Sequence, residues 1–332
     1  MQFKTAWQEA IPDLVNLYNS SWINPQELEK FPEEMRQRAE LLRITREQLA
    51  SQLKHFPEGQ IVGIVRQQGQ LKLATMLNTL VWPVGSIADI PGSYREITAE
   101  RTFAAHVPPA RIPPGKQGVL FCVSIAAGPE FRGLTYAQQT IEHGVKFAER
   151  RGLLAVPYSA PRGFGVYKLA HPNMSIEEYL LITRPPRSSD AYRDYCAHLK
   201  RLNHARRNLF RATYRGALRP LSHDEWQKEA FADAGSEPSR EAFLSFLERR
   251  GVWFEKMYGK LPTVVDYIRL TGRHHIDPVM NFHIQNGADF IYDGNGDIAC
   301  IFANSRPEDI FAAGYNICLT YSPSPLFRPK GV

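Results

Sequence analysis

Two blocks near the start of the chain carry apolar residues at helical spacing, and the period then shortens to that of a strand. Residues 8–20 and 35–54 predict helices; the second follows Pro32-Glu33-Glu34, acids suited to a helix start, and carries Leu41, Leu42, Ile44, Leu49 and Leu53. Runs at 60–66 and 71–80 predict strands, joined by Gln67-Gln68-Gly69-Gln70 as a hairpin. Residues 83–118, with Pro108-Pro109 and Pro113-Pro114-Gly115, predict a long ordered loop, a length that in a compact domain goes with function or disorder.

The next stretch is the most telling. The apolar run 119–127 is rich in β-branched residues and ends at Gly128-Pro129, which predicts a buried strand. Arg132-Gly133-Leu134-Thr135-Tyr136-Ala137 then opens a helix with Ile141, Val145 and Ala148 on one face, and Glu149, Arg150 and Arg151 bring it to a stop at Gly152. Residues 153–158 return as the next strand. A helix N-terminus after such a turn has free backbone N–H groups and a positive dipole end, which suits a pyrophosphate. Without a ligand the same pattern is an ordinary β-α-β crossover.

From 172 to 262 the pattern turns helical. Residues 192–212 are basic and amphipathic; 239–258, after the turn Ala234-Gly235-Ser236-Glu237-Pro238, place Phe243, Phe246, Leu247 and Phe254 at helical spacing, which reads as core. The tail predicts a helix at 277–286, strands at 289–292, 298–303 and 314–321, and a turn at Asp293-Gly294-Asn295-Gly296.

Composition narrows the class. With 332 residues, 43% hydrophobic and 22% charged, the chain suits a soluble globular protein with a large core. No run of eighteen apolar residues occurs, so no membrane span is expected, and Lys4, Glu9 and Asp13 interrupt any N-terminal signal pattern. Cys122, Cys196, Cys300 and Cys318 are scattered without Cys-x-x-Cys spacing, which predicts buried reduced thiols in a cytoplasmic protein rather than disulfides or zinc. The adjacent His274-His275 beside Asp277 point apart and predict no metal site. Charge is uneven. Between Arg184 and Pro220 ten Lys/Arg face two Asp, a net +8 that accounts for the whole chain's +6. Such an imbalance favours an anionic partner over a merely solvated face. The flanking Tyr192, Tyr195, Phe210 and Tyr214 form no nucleic-acid motif.

The strand–turn–helix–strand layout resembles the acyl-CoA site of the GNAT acyltransferase superfamily, whose turn reads Arg/Gln-x-x-Gly-x-Gly/Ala; Thr135 stands where the family has glycine. Short words sharpen the resemblance: Phe56-Pro57-Glu58-Gly59-Gln60; Tyr94-Arg95-Glu96-Ile97-Thr98 with Phe103-x-x-His106; and Met174-Ser175-Ile176-Glu177-Glu178-Tyr179. Asp277-Pro278-Val279-x-x-Phe282-His283 and Arg306-Pro307-Glu308-Asp309 follow. Together they are similar to the loading and decarboxylase GNAT domains of polyketide synthases, the saxitoxin-pathway one among them, and to GNAT domains fused to carbon–nitrogen hydrolases. The similarity covers 55–183 and 275–321.

The resemblance implies an α+β fold: a central mixed, mostly antiparallel sheet flanked by helices, with a basic helical insertion at 184–274 between core parts 1–183 and 275–332. It implies acyl-CoA, acetyl- or malonyl-, held by Val123, Ile125, Arg132, Gly133, Leu134, Thr135, Tyr136 and Ala137, with no metal. It implies decarboxylation of a malonyl-type donor, transfer of its acyl group to an acyl carrier protein, or both. The site residues carried over are His283 as general acid or thiol base, Arg306 holding a carboxylate or thioester oxygen, and Ser159 where the loading domains carry threonine. On residue type alone, Ser159 suits a turn, Arg306 a solvated side chain and His283 a packed one. Ala160 also departs from the arginine that commonly follows the hydroxyl residue. The basic segment Arg193–Arg215 is expected to dock the acidic carrier protein. Two other readings stay open: an N-acetyltransferase of a small amine or amino acid, and a non-catalytic scaffold.

Overall fold

The structure is a computed structural model that describes residues 1–23, 25–133, 135–186, 192–209, 218–232, 238–322 and 324–327, with side chains of 204–209 and 325 left undescribed. Leu134, most of the basic stretch 204–217 and the turn at 234–237 therefore lie outside the described residues. The chain packs as two units, Met1–Ala160 with Cys300–Tyr321, and Pro161–Ala299 with Ser322–Val332.

The first unit is a sheet with helices. Its strands are β1 (Gln2–Thr5), β2 (Gln60–Gln67), β3 (Gln70–Val84), β4 (Gln117–Ala127) and β5 (Leu154–Ser159), and its helices α1 (Ile11–Trp22), α2 (Pro25–Leu28), α3 (Glu33–Ala39), α4 (Arg46–His55), α5 (Tyr94–Thr98) and α6 (Tyr136–Arg150). The second unit holds α7 (Phe164–Ala170), α8 (Ile176–Tyr179), β6 (Thr183–Arg184), α9 (Tyr192–Leu209), α10 (His223–Ala230), α11 (Glu241–Tyr258), α12 (Val264–Thr271), β7 (His274–His275), α13 (Pro278–Gln285) and β8 (Asp289–Phe290). The chain then returns to the first unit with β9 (Ile301–Phe302) and β10 (Asn316–Thr320). Order across the first unit's sheet is β1-β2-β3-β4-β5-β10, antiparallel except for the parallel pair β4–β5, with β9 on β10. This is the mixed, mostly antiparallel α+β architecture expected from the sequence.

Two faces bury the sheet. α1 and α4 contribute Leu14, Leu17, Tyr18, Leu49 and Leu53 to a cluster with Val62, Ile64, Met76 and Ala126. α6 covers the other face, and Gly144 lets it lie close: a Cβ there would stand 2.5 Å from Leu77 Cδ2. The Thr75 and Thr140 hydroxyls meet 2.6 Å apart in the same layer.

The helix expected at 35–54 is two helices. Between them Arg43 is extended, and Thr45 starts α4 with a capping box to Gln48. Asn19 of α1 grips the break, its Oδ1 accepting from Ile44 N–H at 2.8 Å and its amide donating to the Ile44 carbonyl. The loop at 83–118 contains α5 and a left-handed turn: Ala99, Glu100, Arg101 and Phe103 have φ of 45°, 55°, 69° and 61°. Such conformations cost non-glycine residues about 1–3 kcal/mol each. The strand expected at 298–303 shrinks to β9, because Cys300 at φ 59° breaks the extended run.

Candidate active site

β4 and β5 pair only from Val119–Leu154 to Cys122–Pro157. Against β3, Asn78 faces Ser124 while Thr79 faces Cys122, so Val123 is an extra residue. A bulge bends its strand, and this one sits where β4 parts from β5. From Val123 to Ala127, no strand among the described residues pairs with the β4 edge that faced β5. β5 meanwhile gives Tyr158 and Ser159 to β10, opposite Cys318 and Ile317. The two strands open into a cleft at the end from which α6 begins.

The α6 start is bare. Thr135, its N-cap, makes no side-chain cap bond, and no acid stands in its first turn. The Thr135 hydroxyl instead accepts from the Gln139 side chain at 3.1 Å. By contrast α4, α8, α10 and α12 each carry a capping box, and Asp277 caps α13. Gly133 has φ +75°, with nothing within 4 Å of where a Cβ would stand. Arg132 donates to the Ser20 carbonyl at 2.8 Å, and the Ser21 hydroxyl donates to the Ala127 carbonyl at 2.8 Å, so the end of α1 borders the cleft mouth. This strand–turn–helix is able to receive an anion at exposed N–H groups and an extended chain along an open strand edge.

No protein-family model matches the chain, and no curated protein matches it. Among solved structures the chain is similar to a GphF GNAT-like decarboxylase in complex with isobutyryl-CoA, at 14% identity over 96% of this chain and 98% of that one, TM-score 0.43. It is similar to the loading GNATL domain of CurA from Lyngbya majuscula at 11% identity over 96% of each chain, TM-score 0.46. It is also similar to Chaetomium thermophilum Naa20, crystallised with a bisubstrate analogue, at 8% identity over 52% of this chain and 69% of that one, TM-score 0.30. Likenesses this distant bring no activity and no residue role to the chain.

Arg306 is not a solvated turn residue but is buried, 1% exposed. Its guanidinium lies 4.3 Å from the Tyr94 ring centre and 5.1 Å from that of Trp22. Among the described residues, no partner meets its Nε or Nη2 at hydrogen-bond geometry, although Tyr18 and Asp309 also stand close enough to act on its charge. The preceding Ser305 hydroxyl bonds Tyr158 Oη at 2.9 Å and accepts from Tyr94 N–H at 3.0 Å, which anchors the loop to β5. Ser159, the residue after Tyr158, is buried at the end of β5, and strand alternation turns its side chain to the opposite face from Tyr158. Sequence reading missed the aromatic walls Trp22 and Tyr94; nothing in the spacing of Trp22 set it apart from core.

His283 lies on α13 in the second unit, 3% exposed, and burial pushes its pKa down to about 3. It is therefore neutral at pH 7, and the same burial that keeps it neutral opposes its taking up a proton. His106 has a packing role: it stacks on Phe56 with ring centres 4.1 Å apart, and its Nδ1 accepts from Val81 N–H at 3.0 Å. His275 Nδ1 accepts from Asp277 N–H, leaving Nε2–H for the Leu180 carbonyl at 3.0 Å, so both nitrogens are engaged. Among the described residues no group of three His, Cys, Asp or Glu is placed to hold a metal. Four cysteines are free thiols, and burial pushes Cys122 up to about 12.

These burials set an acid sensitivity. Burial holds His106, His275 and His283 down at about 4, 4 and 3. In the unfolded chain histidine titrates near ~6.5. Their contribution is thus full above that value and is lost as pH falls toward the folded values. Asp277 works the other way: burial raises it from 3.8 to about 6, so its contribution is full below 3.8 and lost as pH rises through 6. Three histidines outweigh one carboxyl. The urea midpoint, followed by circular dichroism, is expected to fall between pH 7 and pH 5, and His283→Phe should flatten that slope. An unchanged midpoint would remove the basis for neutral buried histidines.

Proposed function

We infer that the protein is an acyltransferase acting on acyl-CoA or acyl-carrier-protein thioesters, using a malonyl-type donor that it decarboxylates or passes on to a carrier-protein thiol. What carries the reading is the cleft opened by the Val123 bulge beside the uncapped start of α6. The pantetheine chain, with its two amides, would run along the open edge from Val123 and Ile125, with its pyrophosphate at Gly133, Thr135, Tyr136 and Ala137. What favours a carboxylate-bearing donor over the acetyl group of an N-acetyltransferase is Arg306, a buried cation with two unpartnered donors between aromatic rings.

Loss of carbon dioxide from a malonyl thioester leaves an enolate, and transfer passes through a tetrahedral oxyanion. Arg306 would stabilise either developing charge, and Ser159 would donate a hydrogen bond. The basic segment Arg193–Arg215 would meet an acidic carrier. Of it, α9 presents Arg193, Lys200 and Arg201 to solvent and buries Tyr195, Leu199 and Leu202.

Calorimetry tests the first step. Ala137→Asp puts a negative charge among the first N–H groups of α6 and should abolish acetyl- and malonyl-CoA binding; unchanged affinity would refute the cleft assignment. Mass spectrometry of the protein with malonyl-CoA, with and without carrier protein, reads decarboxylation and transfer separately.

A further inference from the structure

The left-handed turn at 99–103 exists to aim one side chain. Thr98 Oγ1 accepts from Arg101 N–H at 3.1 Å, and the Thr98 carbonyl accepts from Phe103 N–H at 2.8 Å. From α4, the Gln52 amide donates to the Arg101 carbonyl at 2.8 Å and the Ser51 hydroxyl to the Thr102 carbonyl at 2.9 Å. So braced, Arg101 points inward, 8% exposed, and donates to the Arg43 carbonyl at 3.0 Å and to Glu308 Oε1 at 2.7 Å. Glu308 is itself buried, and the same Oε1 stands 3.9 Å from Arg306 Nε. A carboxylate next to a guanidinium in a buried site normally closes to a hydrogen-bonded pair. Here it does not.

We propose that Arg101 is a positioning residue for Arg306: it holds Glu308 back, so that Arg306 Nε and Nη2 stay open to the acyl group's carboxylate. The inference rests on the donor reading above and adds to it the device that keeps the site from filling with the protein's own carboxylate. Arg95 supports the arrangement from the surface, its guanidinium 3.8 Å from Glu308 Oε2.

Calorimetry with two probes, CoA and malonyl-CoA, tests it. Wild type should bind malonyl-CoA tighter than CoA. Arg101→Met frees Glu308 to close on Arg306 and should weaken malonyl-CoA about tenfold or more, leaving CoA within about threefold. Arg101→Lys, which still reaches Glu308, should retain most of the wild-type preference. The double variant Arg101→Met/Glu308→Gln removes both the restraint and the competitor and should regain it. Should Arg101→Met fail to fold by circular dichroism, Glu308→Gln alone decides: it should leave malonyl-CoA affinity equal or higher. A fall with Glu308→Gln, or wild-type affinity in Arg101→Met, overturns the inference while leaving the donor reading intact. If wild type itself does not prefer malonyl-CoA, the donor reading fails and the inference with it.

Discussion

Arg306→Lys is expected to lower kcat/KM for the acyl donor by about 10²–10³, the range for losing a preorganised donor at a developing oxyanion. Lysine keeps the buried positive charge that balances Glu308 and Asp309, so stability should suffer less than with alanine, which would leave buried carboxylates uncompensated. What lysine lacks is the planar fork that lies near the Tyr94 and Trp22 rings and carries Nε and Nη2 as separate donors. Affinity for CoA itself should stay within about threefold, since its phosphates are assigned to the start of α6. Thiol release and product mass give the rate, and calorimetry gives the affinity. A rate within threefold of wild type would make Arg306 a packing residue.

The largest stability effect is expected at Trp226. This side chain is fully buried in the second unit, stacks on Tyr195 with ring centres 5.9 Å apart and meets Phe231 edge-on at 5.6 Å. Its Nε1–H donates to the Thr271 carbonyl at 2.7 Å. Truncation to alanine should cost about 3–5 kcal/mol for the cavity, and the stranded carbonyl adds about 1–3 kcal/mol. Trp226→Phe keeps most of the ring contact and should lose less. Urea titration followed by circular dichroism distinguishes them, and equal midpoints for the two variants would mean that the pocket refills.

What could be read from the chain alone follows from how local the cause is. The β4–α6–β5 unit was legible because each boundary has its own signal: Gly128 and Pro129 end β4, and Gly152 at φ +66° ends α6. The hairpin at Gln68 and Gly69 was legible for the same reason, both residues having positive φ. The break in 35–54 carried a readable sign, Thr45 three residues before Gln48, but the run of leucines across it gave the stronger periodic signal. The Val123 bulge left no mark. It is a mismatch between β4 and β3, visible only when the two strands are aligned. The setting of Arg306 was illegible too, since Tyr94 and Trp22 reach it, and Arg101 reaches Glu308 beside it, from more than two hundred residues away. Its word of sequence suggested a polar turn; tertiary packing made it a buried cation.

The return of the chain to its first unit has a consequence for synthesis. β5 ends at residue 159, and β10, which pairs with it, ends at residue 320. At translation rates of about 5–20 residues per second, roughly 10–30 s separate the two. Through that interval the outer edge of β5 exposes unpaired N–H and C=O groups, the kind of template on which nascent chains mispair. Among the described residues, most of the regular structure in the intervening segment is helical, and helices rich in local contacts form fast. Translation, rather than any slow folding step, thus sets the earliest moment at which the sheet can close. A ribosome stalled before residue 316 would carry a chain in which residues 161–299 of the second unit have been made while the first unit still lacks its last partner for β5.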